Sequence, residues 1–455
     1  MLRALWFFAK VAVLCGVVVW LTLQPAQWVS ITGFGYEVEI QASFLIALVL
    51  VALFLATRLD RIWRGLVSMP RVYRRHRAST RREKGYHTLT HGLVAIAAGD
   101  AEGAARLSKR AENLIPHTPL TKLLTAQSAL LNGDAPKARR HFADLLDDKA
   151  AAILGIRGLL TETLADGNYR EALNLARKAE TLHPARTWVI RTLFDLETRH
   201  HEWIKAERTL RKALKLGLFD APAAARHRQA IWTAMSADLQ AQGETSAALN
   251  LARSALGIDA GFTPAAARAA RLSDERGKRR AALKIVETAW SKNPHPELGA
   301  LWMMWAPPMK KQKSIYDAGR DIYNWAKRLD DMNPGHREGH RLLGNAALQM
   351  KLWKEAREQL IAGMDYRGLA RLEREETGND AKAREWLEMA ADAPPDPRWT
   401  CVSCGHAAPE WQALCRHCGH FNTMTWATPS RDVHTPPQHT GALSHGILEP
   451  PRAMH

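Results

Sequence analysis

The sequence predicts an all-α protein with three parts: an N-terminal hairpin of two transmembrane helices, a solenoid of repeated helix pairs, and a small C-terminal metal-binding module. Three observations support this prediction. Two apolar stretches lie near the N-terminus, a seven-residue pattern recurs at intervals of 34 residues, and four cysteines fall within Cys401–Cys418. The chain of 455 residues is 46% hydrophobic, which is enough for a substantial core, and its net charge of +17 favours anionic partners.

Residues 1–60 are predicted to contain two transmembrane helices. The stretch Ala4–Leu23 has a single charged residue, Lys10, whose ammonium group lies close enough to the end to reach the headgroups. The stretch Ala42–Thr57 has no charged residue. A cleavable signal peptide is the alternative for the first stretch, but no small-x-small cleavage motif follows it.

The charge distribution predicts that both termini are cytoplasmic and that the loop at residues 24–41 is periplasmic. The loop contains no Lys or Arg, whereas nine arginines lie between Arg58 and Arg82, and positive charge marks the cytoplasmic side. Apolar and polar residues alternate on both sides of Thr32–Gly35, a pattern typical of a small β-hairpin.

A basic juxtamembrane helix is predicted for residues 61–86. We expect anionic lipid to bind near Arg58–Lys84, because clustered basic residues beside a membrane are attracted to acidic headgroups. Nucleic acid is not an expected partner, because no aromatic platform or base-reading motif accompanies the basic run.

Residues 87–393 repeat one pattern, a turn residue followed five positions later by alanine. Glycine allows the chain to turn between two helices, and alanine allows those helices to approach closely. The turn residues are Gly99, Gly133, Gly167, His201, Gly243, Gly277, Lys351 and Gly378. The alanines are Ala104, Ala138, Ala172, Ala206, Ala248, Ala282, Ala356 and Ala383. This 34-residue unit resembles the tetratricopeptide repeat, which implies a curved solenoid that binds peptides or proteins.

One interval departs from the 34-residue spacing. Gly277 and Lys351 are 74 residues apart, and the insertion Leu301–Ser314 (LWMMWAPPMKKQKS) lies between them. Its two tryptophans and two methionines predict a helix packed in the core. A peptide-binding or haem-contacting surface is the alternative.

Residues 394–428 are predicted to form a four-cysteine metal-binding module that caps the last repeats or presents a docking surface. Two C-x2-C pairs, ten residues apart, direct four thiolates at one ion. The predicted ligands are Cys401, Cys404, Cys415 and Cys418. Four thiolates leave no open coordination position, so the predicted site is structural. Zinc is the predicted occupant, and iron in a rubredoxin-like site is the alternative, because spacing does not separate them.

Other chemistries are excluded by missing motifs. Covalent haem attachment requires C-x-x-C-H, and glycine precedes both His406 and His420. No phosphate-binding loop, dinucleotide fingerprint or H-E-x-x-H motif is present, so the chain is predicted not to be an enzyme. The tail at residues 429–455 is rich in proline and glycine and is predicted to be disordered. Besides the cluster there is only Cys15, which favours a reducing compartment.

The order of these features resembles the HemY family of proteobacterial inner-membrane tetratricopeptide-repeat proteins. The resemblance is clearest in LWFFAKVAVLCGVVVWL, in the glycine-containing loop and in HTLTHGLVAIAAGDAEGAARLSKRAENL. The four-cysteine module departs from the plainer family pattern. It is similar to the rubredoxin-like module of LapB, a regulator of lipopolysaccharide assembly in which tetratricopeptide repeats also precede the cysteines.

The resemblance implies a multi-pass protein of the bacterial inner membrane that acts as a scaffold or regulator in a late step of protohaem biosynthesis. Its implied partners are haem-biosynthesis enzymes, bound through protein contacts. A tetrapyrrole-binding carrier is one alternative, although no motif supports haem binding. LapB-like regulation of lipopolysaccharide synthesis is another, and the predicted double span argues against it. Without the dinucleotide fingerprint, protoporphyrinogen oxidase activity is not predicted.

Overall fold

A computed structural model describes residues 12–13, 15–17, 19–20, 23, 28–33, 36–116, 118–308 and 315–429. The chain divides into two compact units, Met1–Gly133 and Asp134–His455. Most of the first predicted span and all but the first residue of the tail predicted as disordered lie outside the described residues.

The first unit contains a β-hairpin. Strand β1 (Trp28–Gly33) pairs antiparallel with strand β2 (Tyr36–Gln41), with Gly33 opposite Tyr36. The strands therefore pair on both sides of the predicted turn region, and the expected hairpin is confirmed.

A single long helix, α1 (Ala42–Ala97), follows the hairpin and runs unbroken through the predicted boundaries at 60/61 and 86/87. Helices α2 (Ala101–Leu114) and α3 (Pro119–Leu131) pack against it. Across the described parts of the chain, no helix combines the length and the apolar character that crossing a membrane requires. The predicted transmembrane hairpin is therefore not confirmed.

The second unit is a series of helices in which consecutive members contact each other. Their bounds are α4 (Ala135–Ala143), α5 (Ala152–Ala165), α6 (Tyr169–Leu182), α7 (Thr187–Arg199), α8 (Trp203–Lys215), α9 (Ala221–Ala241), α10 (Thr245–Ile258), α11 (Thr263–Glu275), α12 (Arg279–Lys292), α13 (Pro296–Met304), α14 (Ile315–Asp330), α15 (Arg337–Gln349), α16 (Trp353–Ala362), α17 (Tyr366–Glu376) and α18 (Asp380–Asp392).

The structure confirms the repeated unit. Each of the eight predicted turn residues has a positive φ, from +58° to +86°, and a helix begins two residues later. All eight predicted alanines are fully buried, each with 0% of its surface exposed. The spacing in the sequence therefore located both the turns and the positions of closest helix packing.

The long interval contains one further helix pair that the spacing did not identify. Helices α13 and α14 pack against each other, and residues 305–314 separate them in the sequence. Gly319 takes the place of the alanine. It is buried, and a Cβ added there would lie 3.0 Å from the Cβ of Met350. The pattern failed here because glycine replaces alanine and the connection is longer.

The two tryptophans of the insertion belong to the core. Trp302 is 0% and Trp305 is 5% exposed. Trp302 stacks on Trp325 with ring centroids 4.6 Å apart, and each indole N–H donates a hydrogen bond to the other residue's carbonyl oxygen. This confirms the core interpretation for both tryptophans. The alternative, in which they cover a bound ring at the surface, is wrong for these two residues.

Enlarging a repeat alanine is expected to destabilise the protein. Ala104 is fully buried on α2, so Ala104→Leu should lower the free energy of unfolding by about 1–3 kcal/mol, because the added carbons have no space. The neighbouring Ala105 is exposed, and Ala105→Leu should change stability by no more than about 0.5 kcal/mol. Urea unfolding followed by circular dichroism compares the two. Equal losses would contradict the assigned packing position.

Candidate metal centre

A small antiparallel sheet supports the four-cysteine module. Strand β3 (Arg398–Cys401) lies between β4 (Ala407–Ala408) and β5 (Met424–Ala427). Cys401 ends the central strand, opposite Met424. Trp399 and Met424 are each 6% exposed and pack with the cysteines, which provides the apolar cover that so small a module needs.

The first cysteine pair forms a tight backbone turn. The amide of Gly405 donates to the carbonyl oxygen of Cys401 at 2.8 Å, and the amide of Cys401 donates to the carbonyl oxygen of His406 at 2.9 Å. Gly405 has a φ of +71°, a conformation that side chains with a Cβ rarely adopt. This turn is the reason glycine follows the second cysteine.

The second cysteine pair repeats the same structure. The amide of Gly419 donates to the carbonyl oxygen of Cys415 at 2.8 Å, and the amide of Cys415 donates to the carbonyl oxygen of His420 at 3.0 Å. Gly419 has a φ of +70°. The two C-x2-C pairs therefore form equivalent backbone turns, which we call knuckles. Each knuckle positions two of the four sulfur atoms.

The four sulfur atoms have the spacing of a single metal site. All four Sγ atoms lie within 4.8 Å of one another. The Sγ atoms of Cys401 and Cys418 are 3.7 Å apart, and those of Cys404 and Cys415 are 3.6 Å apart. A tetrahedron with zinc–sulfur bonds of about 2.3 Å has edges of about 3.8 Å. A disulfide would need about 2.05 Å, so these side chains could hold one ion and are not cross-linked.

The electrostatics of the cluster favour a cation. Burial acts to raise the pKa of the Cys401 thiol, but hydrogen bonds from Thr423 Oγ1 and from backbone amides bring it down to about 7. Burial raises the pKa of Cys404 to about 11, and it raises the pKa of Cys418 further. Several crowded thiolates are unfavourable together. A divalent cation removes that penalty because it attracts each of them.

The four-cysteine module packs against the middle of the repeats, not their end. The ring of Phe421 lies 5.7 Å from Phe194, 6.1 Å from Trp203 and 5.7 Å from His227, centroid to centroid. Trp411 packs edge-on against Phe262 at 5.5 Å. The expectation that the module caps the last repeats is therefore wrong.

Further contacts extend this interface along the chain. The ring of His295 contacts both Trp399, at 5.4 Å, and Trp426, at 4.2 Å, centroid to centroid, and Arg341 pairs with Asp396 at 2.5 Å. Except for Trp203, the repeat residues named in these contacts lie on or cap α7, α9, α11, α13 and α15. These are the first helices of five successive pairs. We call the surface that these helices form the first-helix face. Solenoid proteins bind their partners on continuous faces of this kind.

Polar contacts fix the second knuckle on this face. Arg199 Nη2 donates to the carbonyl oxygen of Cys418 at 3.2 Å, and Asn422 Nδ2 lies 3.2 Å from His227 Nδ1. A Cβ added at Gly419 would lie 2.5 Å from the Cζ atom of Arg199, so glycine also allows this close approach. The cysteine cluster and the repeats are therefore joined through the knuckle's own backbone.

Two histidines at this interface, the buried His295 and the half-buried His227, predict that the interface weakens in acid. Burial lowers the pKa of His295 and of His227 from 6.5 to about 4, and Arg226 adds to the effect at His227. Both are neutral in the folded chain, and the unfolded chain binds protons more readily. Stability is therefore complete above about pH 6.5 and falls as the pH drops towards 4, by roughly 1 kcal/mol per pH unit for each histidine.

Unfolding free energies measured between pH 7 and about pH 5, with metal content followed in the same samples, test this dependence. His295→Gln should flatten the slope, because glutamine does not titrate. An unchanged slope in the variant, at a pH where the metal is retained, would contradict the assignment.

Comparisons with known proteins identify a similar family for the N-terminal region and one similar protein over most of the chain. Residues 28–133 match the family described as "HemY protein N-terminus". The "Probable magnetosome protein Mms48" of Magnetospirillum gryphiswaldense is 24% identical over 454 residues, covering 93% of each chain.

Solved repeat proteins are similar at lower identity. A tetratricopeptide repeat protein from Parabacteroides merdae is 14% identical, with a TM-score of 0.28, over 58% of this chain and 99% of that one. A structure titled "Crystal structure of MamA protein" is 15% identical, with a TM-score of 0.26, over 43% of this chain and 100% of that one. TM-scores this low carry no functional inference.

Proposed function

We propose that this chain, which has a HemY-type N-terminal region at residues 28–133, is a membrane-anchored scaffold for enzymes of a late step of protohaem biosynthesis. The family match is the observation that carries the proposal. It covers the β-hairpin, the long helix α1 and the first repeat helices.

The scaffold part of the proposal is supported by the architecture. Successive helix pairs offer broad faces for protein partners, and repeat proteins use such faces for binding. The four clustered cysteines form a closed set of ligands without a position for substrate. A non-enzymatic role in which the repeats hold other proteins is the function that fits both features.

The anchor part of the proposal is supported by α1. Apolar side chains near its start are exposed, among them Phe44 at 59%, Leu48 at 58% and Leu53 at 58%. Exposed apolar side chains in such a row are costly in water and favourable in lipid. The arginines between Arg58 and Arg82 would then meet the acidic headgroups. The chain should sediment with membranes and resist extraction by alkaline carbonate; release by salt alone would contradict an integral anchor.

We infer that zinc occupies the four-cysteine module, with iron as the alternative. Cys401, Cys404, Cys415 and Cys418 would hold the ion, which would act as a cross-link between the two knuckles. Elemental analysis of the full-length protein should give one zinc per chain. One iron per chain would favour the rubredoxin-like alternative.

Two experiments test the role in haem synthesis. Full-length protein, purified in detergent from its own membranes, should bring haem-biosynthesis enzymes with it. Deletion of the gene should lead to accumulation of a late porphyrin intermediate. An unchanged porphyrin profile together with altered lipopolysaccharide would favour LapB-like regulation and overturn the proposal.

A further inference from the structure

A cavity of about 510 Å³ lies between the four-cysteine module and the repeats, within the second unit. Its volume is in the range of sites that bind small organic molecules, about 300–1,000 Å³. The repeats supply one wall, which includes Arg199, Trp203, Asp238 and Arg268. The module supplies the other through residues 411–416 and Gly419. We call this space the seam cavity.

The seam cavity has a surplus of positive charge. Three arginines line it: Arg199, which donates to the carbonyl oxygen of Cys418, Arg268, which donates to Gln240 Oε1 at 2.8 Å, and the exposed Arg416. None of the three lies in an ion pair among the residues that the structure describes. The single carboxylate in the wall, Asp238, already accepts a hydrogen bond from the indole N–H of Trp203 at 2.7 Å. Burial and, to a smaller extent, Arg271 lower the pKa of Arg268, whereas Glu297, Asp238 and Glu275 act to raise it. A bound anion would offset the cost of burying this guanidinium group.

The same walls carry aromatic surface and unsatisfied polar atoms. Trp203 and Trp411 both line the seam cavity, as do Ala234, Ala237 and Leu414. Trp411 Nε1 and Gln412 Oε1 are buried and have no hydrogen-bond partner among the residues described. Buried polar atoms are nearly always paired in folded proteins, so a polar group on a ligand fits beside them.

We propose that the seam cavity binds a small aromatic carboxylate. The flat apolar body would lie against Trp203 and Trp411, and the carboxylate would pair with Arg268 and Arg416. A single negative charge suits the site better than phosphate does, because Asp238 in the same wall would repel a dianion. Cys415 and Gly419 belong to the wall, so the site requires the metal-loaded module. The site does not depend on which protein the scaffold binds.

Isothermal titration of the full-length, metal-loaded protein with 2-naphthoate tests the proposal. The expected result is saturable binding of one molecule per chain. 2-Naphthalenemethanol, which has the same rings without the charge, should bind at least tenfold more weakly, because a charge-assisted contact contributes roughly a factor of ten or more. Inorganic phosphate should not compete. Absence of saturable naphthoate binding, or equal affinity for the alcohol, would overturn the proposal.

Variants locate the site. Arg416→Gln should weaken naphthoate binding at least tenfold, whereas Arg253→Gln, at an exposed arginine of α10 outside the seam cavity, should leave it unchanged. Circular dichroism and metal content establish that both variants are folded and loaded. Removal of the metal should abolish binding in the unmodified chain. Equal affinities in the two variants would place the ligand elsewhere, and neither result depends on capture of a protein partner.

Discussion

Cys404→Ser is expected to release the metal from the four-cysteine module and to detach the module from the first-helix face. The Sγ atom of Cys404 lies 3.6 Å from that of Cys415, which is one of two close sulfur contacts between the knuckles; the other joins Cys401 and Cys418 at 3.7 Å. Serine binds zinc poorly, and structural zinc sites contribute several kcal/mol or more to folding. The metal content should fall from about one ion per chain to well below half.

The readout for detachment is amide hydrogen exchange. Exchange should increase at residues 415–422 and on α7 and α9, because Arg199 and His227 lose their partners Cys418 and Asn422. Cys15→Ser is the control, since Cys15 is exposed and lies outside the cluster, and it should retain metal and exchange protection. A fully metal-loaded Cys404→Ser protein would show that the ligand assignment is wrong.

The turns, the closely packed helix positions and the cysteine cluster could be predicted from the sequence, because each of these features depends on residues that are close together in the chain. A positive φ favours glycine, as at Gly99 and Gly405, and close helix packing favours a small residue such as Ala104, so periodic spacing reveals these positions. The same logic failed at Gly319, where the small residue is glycine and the sequence between the two helices is longer than in the other pairs. The C-x2-C spacing likewise predicted the cluster of four sulfurs, because one knuckle occupies only a few residues.

The position of the module on the repeats was not predictable in this way. Arg199 and Cys418 are separated by 219 residues, and His227 and Asn422 by 195. Each contact involves a single side chain, with no repeating pattern around it. His295 illustrates the difficulty. Its Nδ1 accepts a hydrogen bond from the amide of Glu297 at the start of α13, which is an ordinary capping role, while its ring also packs against two tryptophans of the module.

Phe421→Ala is expected to separate attachment of the module from metal binding. Phe421 is not a ligand, but its ring fills the space between Phe194, Trp203 and His227. Removing a large buried ring costs about 3–5 kcal/mol, and this side chain is half-buried, so a loss of about 2 kcal/mol is expected. Hydrogen exchange should increase on α7 and α9, as in Cys404→Ser, while the metal content stays at one ion per chain.

The matched control is Val402→Ala, since Val402 lies on the same module with 70% of its surface exposed. It should change neither stability nor exchange. Comparison with Cys404→Ser then separates loss of metal from loss of the aromatic contact as causes of detachment. Both variants should expose the first-helix face, but only Cys404→Ser should lose metal. If Phe421→Ala also loses its metal, the knuckles depend on the repeats for their geometry, and the metal and the interface form one cooperative unit.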